Sequence, residues 1–167
     1  ELDPDLFKPH EATPTDIRRL GRLLANYGLH PPPFPLCRIA APDETQRRDG
    51  VEKWKRAIAA SRELGAESLT SEMTGDPAAP PETCRDAFRR SMEALLPRLE
   101  DADLPVSFEC HPGDFIEKSN EAADLIREIA RPVVGRIYVD PGSADQVTLP
   151  QRTKKAGSSQ QNVARRV

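Results

Sequence analysis

Four side chains stand out for the chemistry they could do together: Glu72, Glu109, His111 and Asp140. Carboxylates hold hard cations or move protons, and an imidazole hydrogen-bonds a substrate or pairs with an acid. Each acid closes a short run of alternating polar and apolar residues: Glu67 to Glu72, Val106 to Glu109 and Arg136 to Asp140. Successive side chains of a strand point to opposite faces. Ser107, Glu109 and His111 therefore share one face, with Val106, Phe108 and Cys110 on the other. In the same way Ser68, Thr70 and Glu72 oppose Leu69, Ser71 and Met73, and Arg136, Tyr138 and Asp140 oppose Ile137 and Val139. One such strand alone reads as an edge strand with a wet face. Three in succession predict an interior that is polar because it binds something.

Amphipathic helical patterns fill the intervals and must position these acids. Thr15 is expected to cap a helix with the stripe Ile17, Leu20, Leu23, Leu24 and Tyr27, ended by Gly28. Asp43 opens a second, with Val51, Trp54, Ile58 and Leu64 on one face, Gly65 at the end and a bend or break expected at Gly50. A third runs from about Pro81 to Asp101 with Phe88, Met92, Leu95 and Leu99 inward, and Pro97 is expected to kink or end it. A fourth starts near Ser119 and packs through Ala122, Leu125, Ile126 and Ile129, stopping before Pro132. The segment Phe34 to Ile39 lies between two helices, in the slot where the repeat demands a strand. Helices between the strands make the strands parallel, so the chain reads as α/β, about four parallel β/α units of a (β/α) barrel with acids at its active face.

Composition narrows the class further. No apolar run is long enough to span a bilayer and no signal peptide is visible, which fits a cytoplasmic protein without a membrane partner. Cys37, Cys84 and Cys110 lie far apart without metal spacing and suit a reducing compartment. A net charge of -3, few aromatics and no basic stripe on any expected helix argue against nucleic-acid binding.

The ends read differently from the middle. Glu1-Leu2-Asp3-Pro4 resembles the tip of a strand whose body is missing, and periodicity vanishes after Asp140. The segment Val147 to Val167 carries Arg152, Lys154, Lys155, Arg165 and Arg166 and no acid, and is read as a disordered or unrelated basic tail. The expected division is a partial barrel over 1–141 and a tail over 142–167. A full barrel takes about 250 residues, so a partial barrel truncated at both ends is expected.

Several segments together carry a family resemblance: Trp54-Lys55-Arg56-Ala57-Ile58, Glu63-Leu64-Gly65-Ala66 leading to Ser71-Glu72-Met73-Thr74-Gly75-Asp76-Pro77, Ser91-Met92-Glu93, Phe108-Glu109-Cys110-His111-Pro112-Gly113-Asp114-Phe115, and Val134-Gly135-Arg136-Ile137-Tyr138-Val139-Asp140-Pro141. In this order they resemble the xylose isomerase-like TIM barrel superfamily, in particular its sugar phosphate isomerase/epimerase branch, from about Glu1 to Pro141. The resemblance implies a divalent metal, Mn²⁺, Mg²⁺ or Co²⁺, held at the C-terminal mouth by two Glu, an Asp and a His from four strands. Glu109 matches the first glutamate, a metal ligand that also serves as catalytic acid/base, and Asp140 matches the metal-binding aspartate. The remaining His and Glu would come from later strands; after Asp140 stands Pro141-Gly142-Ser143-Ala144-Asp145, where family members carry a His-containing loop.

The implied reaction is isomerisation or epimerisation of a sugar or sugar derivative by enediolate proton transfer or hydride shift. Glu72 and His111 are the expected substrate-binding residues; Asp114 and Lys118 share the loop but read as solvated charges. Arg136 and Tyr138 are expected to fill the barrel interior and Trp54 the core. One alternative is a non-catalytic barrel fragment that self-associates through exposed sheet edges as a homo-oligomer. Another is a hydrolase like the superfamily's abasic-site endonucleases, whose trinuclear zinc cluster needs more than the three His present, His10, His30 and His111.

Overall fold

The computed structural model describes residues 7–29, 33, 35, 37–129 and 134–138, the last five by their backbone. Helix α1 spans Pro14–Asn26. Its cap is Thr13 rather than the expected Thr15: the Thr13 hydroxyl accepts the Asp16 N–H at 3.2 Å, and the Asp16 carboxylate accepts the Thr13 N–H at 3.1 Å. Pro14 explains the earlier start, because its fixed φ and missing N–H suit the first helical position.

Helix α2 spans Glu44–Glu63, capped by the Asp43 carboxylate on the Gln46 N–H at 2.8 Å. It runs without a break through Gly50, against expectation. The glycine serves a close approach instead: a Cβ there would lie 2.9 Å from both the carbonyl carbon and oxygen of Arg38. The backbone of the 38–41 turn thus rests directly on the helix. Ser91 Oγ, on the next helix, fastens the same turn by donating to the Ile39 carbonyl at 2.6 Å.

Strand β1 is Leu69–Glu72, helix α3 Pro81–Ala102, strand β2 Val106–Glu109, helix α4 Ser119–Ile129 and strand β3 Val134–Tyr138. Helix α3 continues past Pro97, which removes one backbone donor but does not end the helix. Leu95, Leu96 and Leu99 are buried on either side of it, and that packing outweighs the lost bond. The helix ends at Asp103 in the left-handed region, φ 49°, where the Leu104 N–H returns to the Leu99 carbonyl at 3.1 Å.

The strands form one parallel sheet in the order β1-β2-β3. Leu69 to Glu72 pair residue for residue with Val106 to Glu109. Between β2 and β3 the register shifts after Val106, so Ser107 stands beside Arg136 and Glu109 beside Tyr138. Parallel pairing, with a helix between successive strands, is the expected α/β arrangement.

The expected strand from Phe34 to Ile39 is not formed among its described residues, since Cys37 to Ala40 make a turn-containing connection; Phe34 and Leu36 lie outside the described residues. The slot is nevertheless used. The Pro33 carbonyl accepts the Thr70 N–H at 3.2 Å, and the Pro35 carbonyl accepts the Ser71 hydroxyl at 3.1 Å. Pro33 and Pro35 have no N–H to return, so at these two positions the chain accepts from β1 without completing a ladder.

The core lies between the sheet and α2, α3 and α4. Phe108, fully buried on β2, stacks on Trp54 with centroids 6.1 Å apart and meets Phe88 edge-on at 5.1 Å. Leu69, Met73, Met92, Leu95, Leu99 and Leu125 are fully buried around them. Trp54 is a core residue, as its helical register predicts. Helix α1 departs from its pattern: Ile17 is buried, but Leu23 and Tyr27 are 52% and 73% exposed.

Candidate active site

Strands β1 and β2 end level with one another, so the parallel register sets Glu72 directly beside Glu109. Neighbouring residues in register project to the same side of a sheet. The alternation that buries Leu69, Met73, Val106 and Phe108 against the helices leaves Glu72 and Glu109 partly exposed at the strand tips.

His111 joins them. Its Nε2 lies 3.3 Å from a Glu109 carboxylate oxygen and 3.8 Å from a Glu72 oxygen. That nitrogen is sealed from solvent, and neither carboxylate meets it with hydrogen-bonding alignment. The imidazole therefore sits between the two acids, close to both and hydrogen-bonded to neither. The other Glu72 oxygen accepts the Thr74 hydroxyl at 2.9 Å. Glu72 is thus held on both sides.

The loop after β2 is pinned to the loop after β1. Met73 N–H donates to the Glu109 carbonyl at 3.0 Å, and Phe115 N–H donates to the Met73 carbonyl at 3.2 Å. Gly75 permits the approach, since a Cβ there would lie 2.9 Å from Phe115 Cβ and 3.0 Å from Cys84 Sγ. Phe115 is buried and tilts against Phe88 at 5.8 Å. Within the loop, the Asp114 carboxylate accepts the His111 N–H at 2.8 Å and the Asp114 N–H donates to the His111 carbonyl at 3.1 Å.

Burial pushes the Asp114 carboxyl above the ordinary aspartate range, the negative charge of Glu72 adds to the rise, and the His111 amide opposes it. Asp114 is therefore no solvated loop charge, in contrast to its sequence reading; capping a turn and partial burial decide its state. Lys118 does follow that reading, exposed and 3.5 Å from Glu121. Cys110, on the helix-facing side of β2, has its thiol pushed up to about 11 by burial, with Asp114 and Glu121 adding to it, and is a poor nucleophile.

The site residues named from the sequence divide cleanly. Glu72, Glu109 and His111 come together at the tips of β1 and β2. Asp140 lies outside the described residues, two positions past Tyr138, whose backbone stands beside Glu109. Thr74 and the bonded role of Asp114 were missed. Asp three residues after His, ahead of the apolar pair Phe115-Ile116, is the sequence signal of a capped turn that could have found Asp114. Among the described residues no three His, Cys, Asp or Glu side chains form a group able to hold a metal ion.

Residues 1–144 match the family model described as xylose isomerase-like TIM barrel. No match is found among the curated proteins. Among solved structures, the chain is similar to protein SMc04130 from Sinorhizobium meliloti 1021, at 23% identity and TM-score 0.60, over 75% of this chain and 50% of that one. It is also similar to D-psicose 3-epimerase determined in the presence of D-fructose, at 9% identity and TM-score 0.68, over 78% and 49%. A third is a xylose isomerase-like TIM barrel protein from Mycobacterium smegmatis in complex with magnesium, at 15% identity and TM-score 0.59, over 79% and 47%. The chain spans about half the length of the solved structures it matches.

Proposed function

The chain belongs to the xylose isomerase-like TIM barrel family, and from that membership we propose that its strand-tip acids serve a divalent-metal-dependent isomerase or epimerase of a sugar or sugar derivative. The observation that carries the reading is the side-by-side register of Glu72 and Glu109, with the solvent-sealed Nε2 of His111 between their carboxylates. A sugar epimerase and a magnesium complex among the structural neighbours support it.

The donor chemistry fits a hard cation. Glu109 would hold the metal together with Asp140, and oxygen donors of this kind suit Mg²⁺ or Mn²⁺, with an added imidazole shifting preference toward Mn²⁺ or Co²⁺. Bound there, the metal would polarise a substrate carbonyl and acidify the neighbouring C–H. For isomerisation Glu109 would take that proton as a carboxylate and return it as a carboxylic acid to the neighbouring carbon of the enediolate, while a proton moves from one enediolate oxygen to the other; epimerisation would need a second acid on the opposite face. Glu72, steadied by Thr74, accepts a hydrogen bond from a sugar hydroxyl. His111 gives up its place between the acids to hydrogen-bond an oxygen of the sugar.

We take 1–141 as the barrel unit and 142–167 as a separate tail, and place the protein in the cytoplasm. No helix among the described residues is long and apolar enough to cross a membrane. Exposure of Leu23, Tyr27 and Leu29 favours a second reading, a non-catalytic unit that self-associates, which size-exclusion chromatography with light scattering distinguishes by a dimer mass. The metal reading is tested by calorimetric titration of Mn²⁺ into the protein and into Glu109→Gln. Binding should be present in the first and weakened at least about tenfold in the second; equal binding removes Glu109 from the metal.

A further inference from the structure

Asp114 touches both arms of the site without belonging to either strand. One of its oxygens accepts the His111 N–H at 2.8 Å, closing a turn that the Asp114 N–H completes on the His111 carbonyl. Its carboxylate is also within hydrogen-bonding reach of the Thr74 hydroxyl, which donates to Glu72 at 2.9 Å. Glu72 in turn faces His111 Nε2 with its other oxygen, and that nitrogen faces Glu109. These four residues, Asp114, Thr74, Glu72 and His111, form a circuit of contacts that returns to Asp114 through the His111 backbone.

A hydroxyl has one proton to give. Thr74 can satisfy Glu72 or Asp114, and the His111 amide supplies Asp114 with a donor of its own, leaving the Thr74 proton to Glu72. The circuit therefore fixes two things at once. It sets the backbone of His111, and with it the direction in which the ring leaves the chain, and it sets the rotation of the Glu72 carboxylate. The loop as a whole has its own anchor in Phe115 packed on Gly75 and Phe88, so Asp114 is not needed to hold it to the core.

We propose that Asp114 is a positioning residue: by bonding the His111 backbone and facing Thr74, it holds the imidazole between the Glu72 and Glu109 carboxylates that the strand register sets side by side. The consequence for metal affinity rests on the function proposed above; the positioning itself does not.

The experiment compares the protein with Asp114→Ala and Asp114→Asn by NMR, reading the His111 side-chain rotamer from three-bond couplings, and by Mn²⁺ calorimetry. The wild type and Asp114→Asn, whose amide oxygen still accepts the His111 N–H, should show one His111 rotamer; Asp114→Ala should show averaging. Mn²⁺ affinity should fall about tenfold in Asp114→Ala and recover in Asp114→Asn. A single unchanged rotamer in Asp114→Ala, with only a lowered Tm, overturns the proposal. If Asp114→Ala does not fold, Asp114→Glu makes the same comparison, because it keeps the charge but displaces the acceptor. Absence of Mn²⁺ binding by the wild type would remove the metal reading while the rotamer comparison still decides the role of Asp114.

Discussion

Helices α1 and α3 carry the same kind of apolar stripe and end up in opposite circumstances. On α3, Phe88, Met92, Leu95 and Leu99 are essentially inaccessible to solvent; on α1 only Ile17 is buried, while Leu23 and Tyr27 stand in the open. Helix α3 has the sheet beneath it and α2 and α4 on its flanks, whereas α1 rests on α2 at the margin of the core. The lesson is that a periodic pattern says which face a helix would bury, and not whether a partner is there to cover it. A second contrast follows at the sheet itself, where one side of β2 packs Phe108 among aromatic rings and the other carries Ser107 and Glu109.

The sharpest way to break this comparison is to truncate each stripe and measure urea denaturation. Phe88→Ala should cost about 3–5 kcal/mol, since it removes a ring packed against Phe108 and Phe115 and leaves a cavity at the centre. A loss comparable to a surface substitution would mean that the aromatic cluster is not the core. Gly50→Ala tests the tightest contact of α2. Alanine gains about 1 kcal/mol in helix propensity, but its Cβ would meet the Arg38 backbone rather than a yielding side chain. Overpacking of that kind costs about 1–3 kcal/mol, so a net decrease in stability is expected; a more stable variant would show that the 38–41 turn does not rest on the helix. Tyr27→Ser should change stability by no more than about 0.5 kcal/mol. A large destabilisation would show that the α1 stripe is covered in solution, which light scattering of the same variant would then trace to self-association.

Much of this was legible because local rules and tertiary demands agree. Alternation named the faces of β1 and β2, and the stripes of α2, α3 and α4 named most of their buried residues, with Leu64 and Ile129 only partly covered. Where sequence reading went astray, a neighbour distant in the chain had intervened. Gly50 reads as a helix breaker until the Arg38 backbone is seen pressed against it. Pro97 reads as a stop until the burial of Leu95, Leu96 and Leu99 is counted. The proline-rich segment reads as a strand, yet Pro33 and Pro35 have no N–H to return to β1 and meet it through their carbonyls. Thr15 gave way to Thr13 through a local effect, the preference of Pro14 for the first helical turn.

The sequence by itself determined the period of each element and hence that Glu72 and Glu109 lie on the polar sides of their strands, because alternation is a property of extended backbone. It also determined the greasy opposite face that Phe108 centres. Only the tertiary structure decided that those two acids stand level, that His111 lies between them, and that Asp114 and Thr74 hold the arrangement. Register and loop docking depend on hydrogen bonds and packing between segments far apart in the chain, and no local pattern encodes the distance at which two strand tips meet.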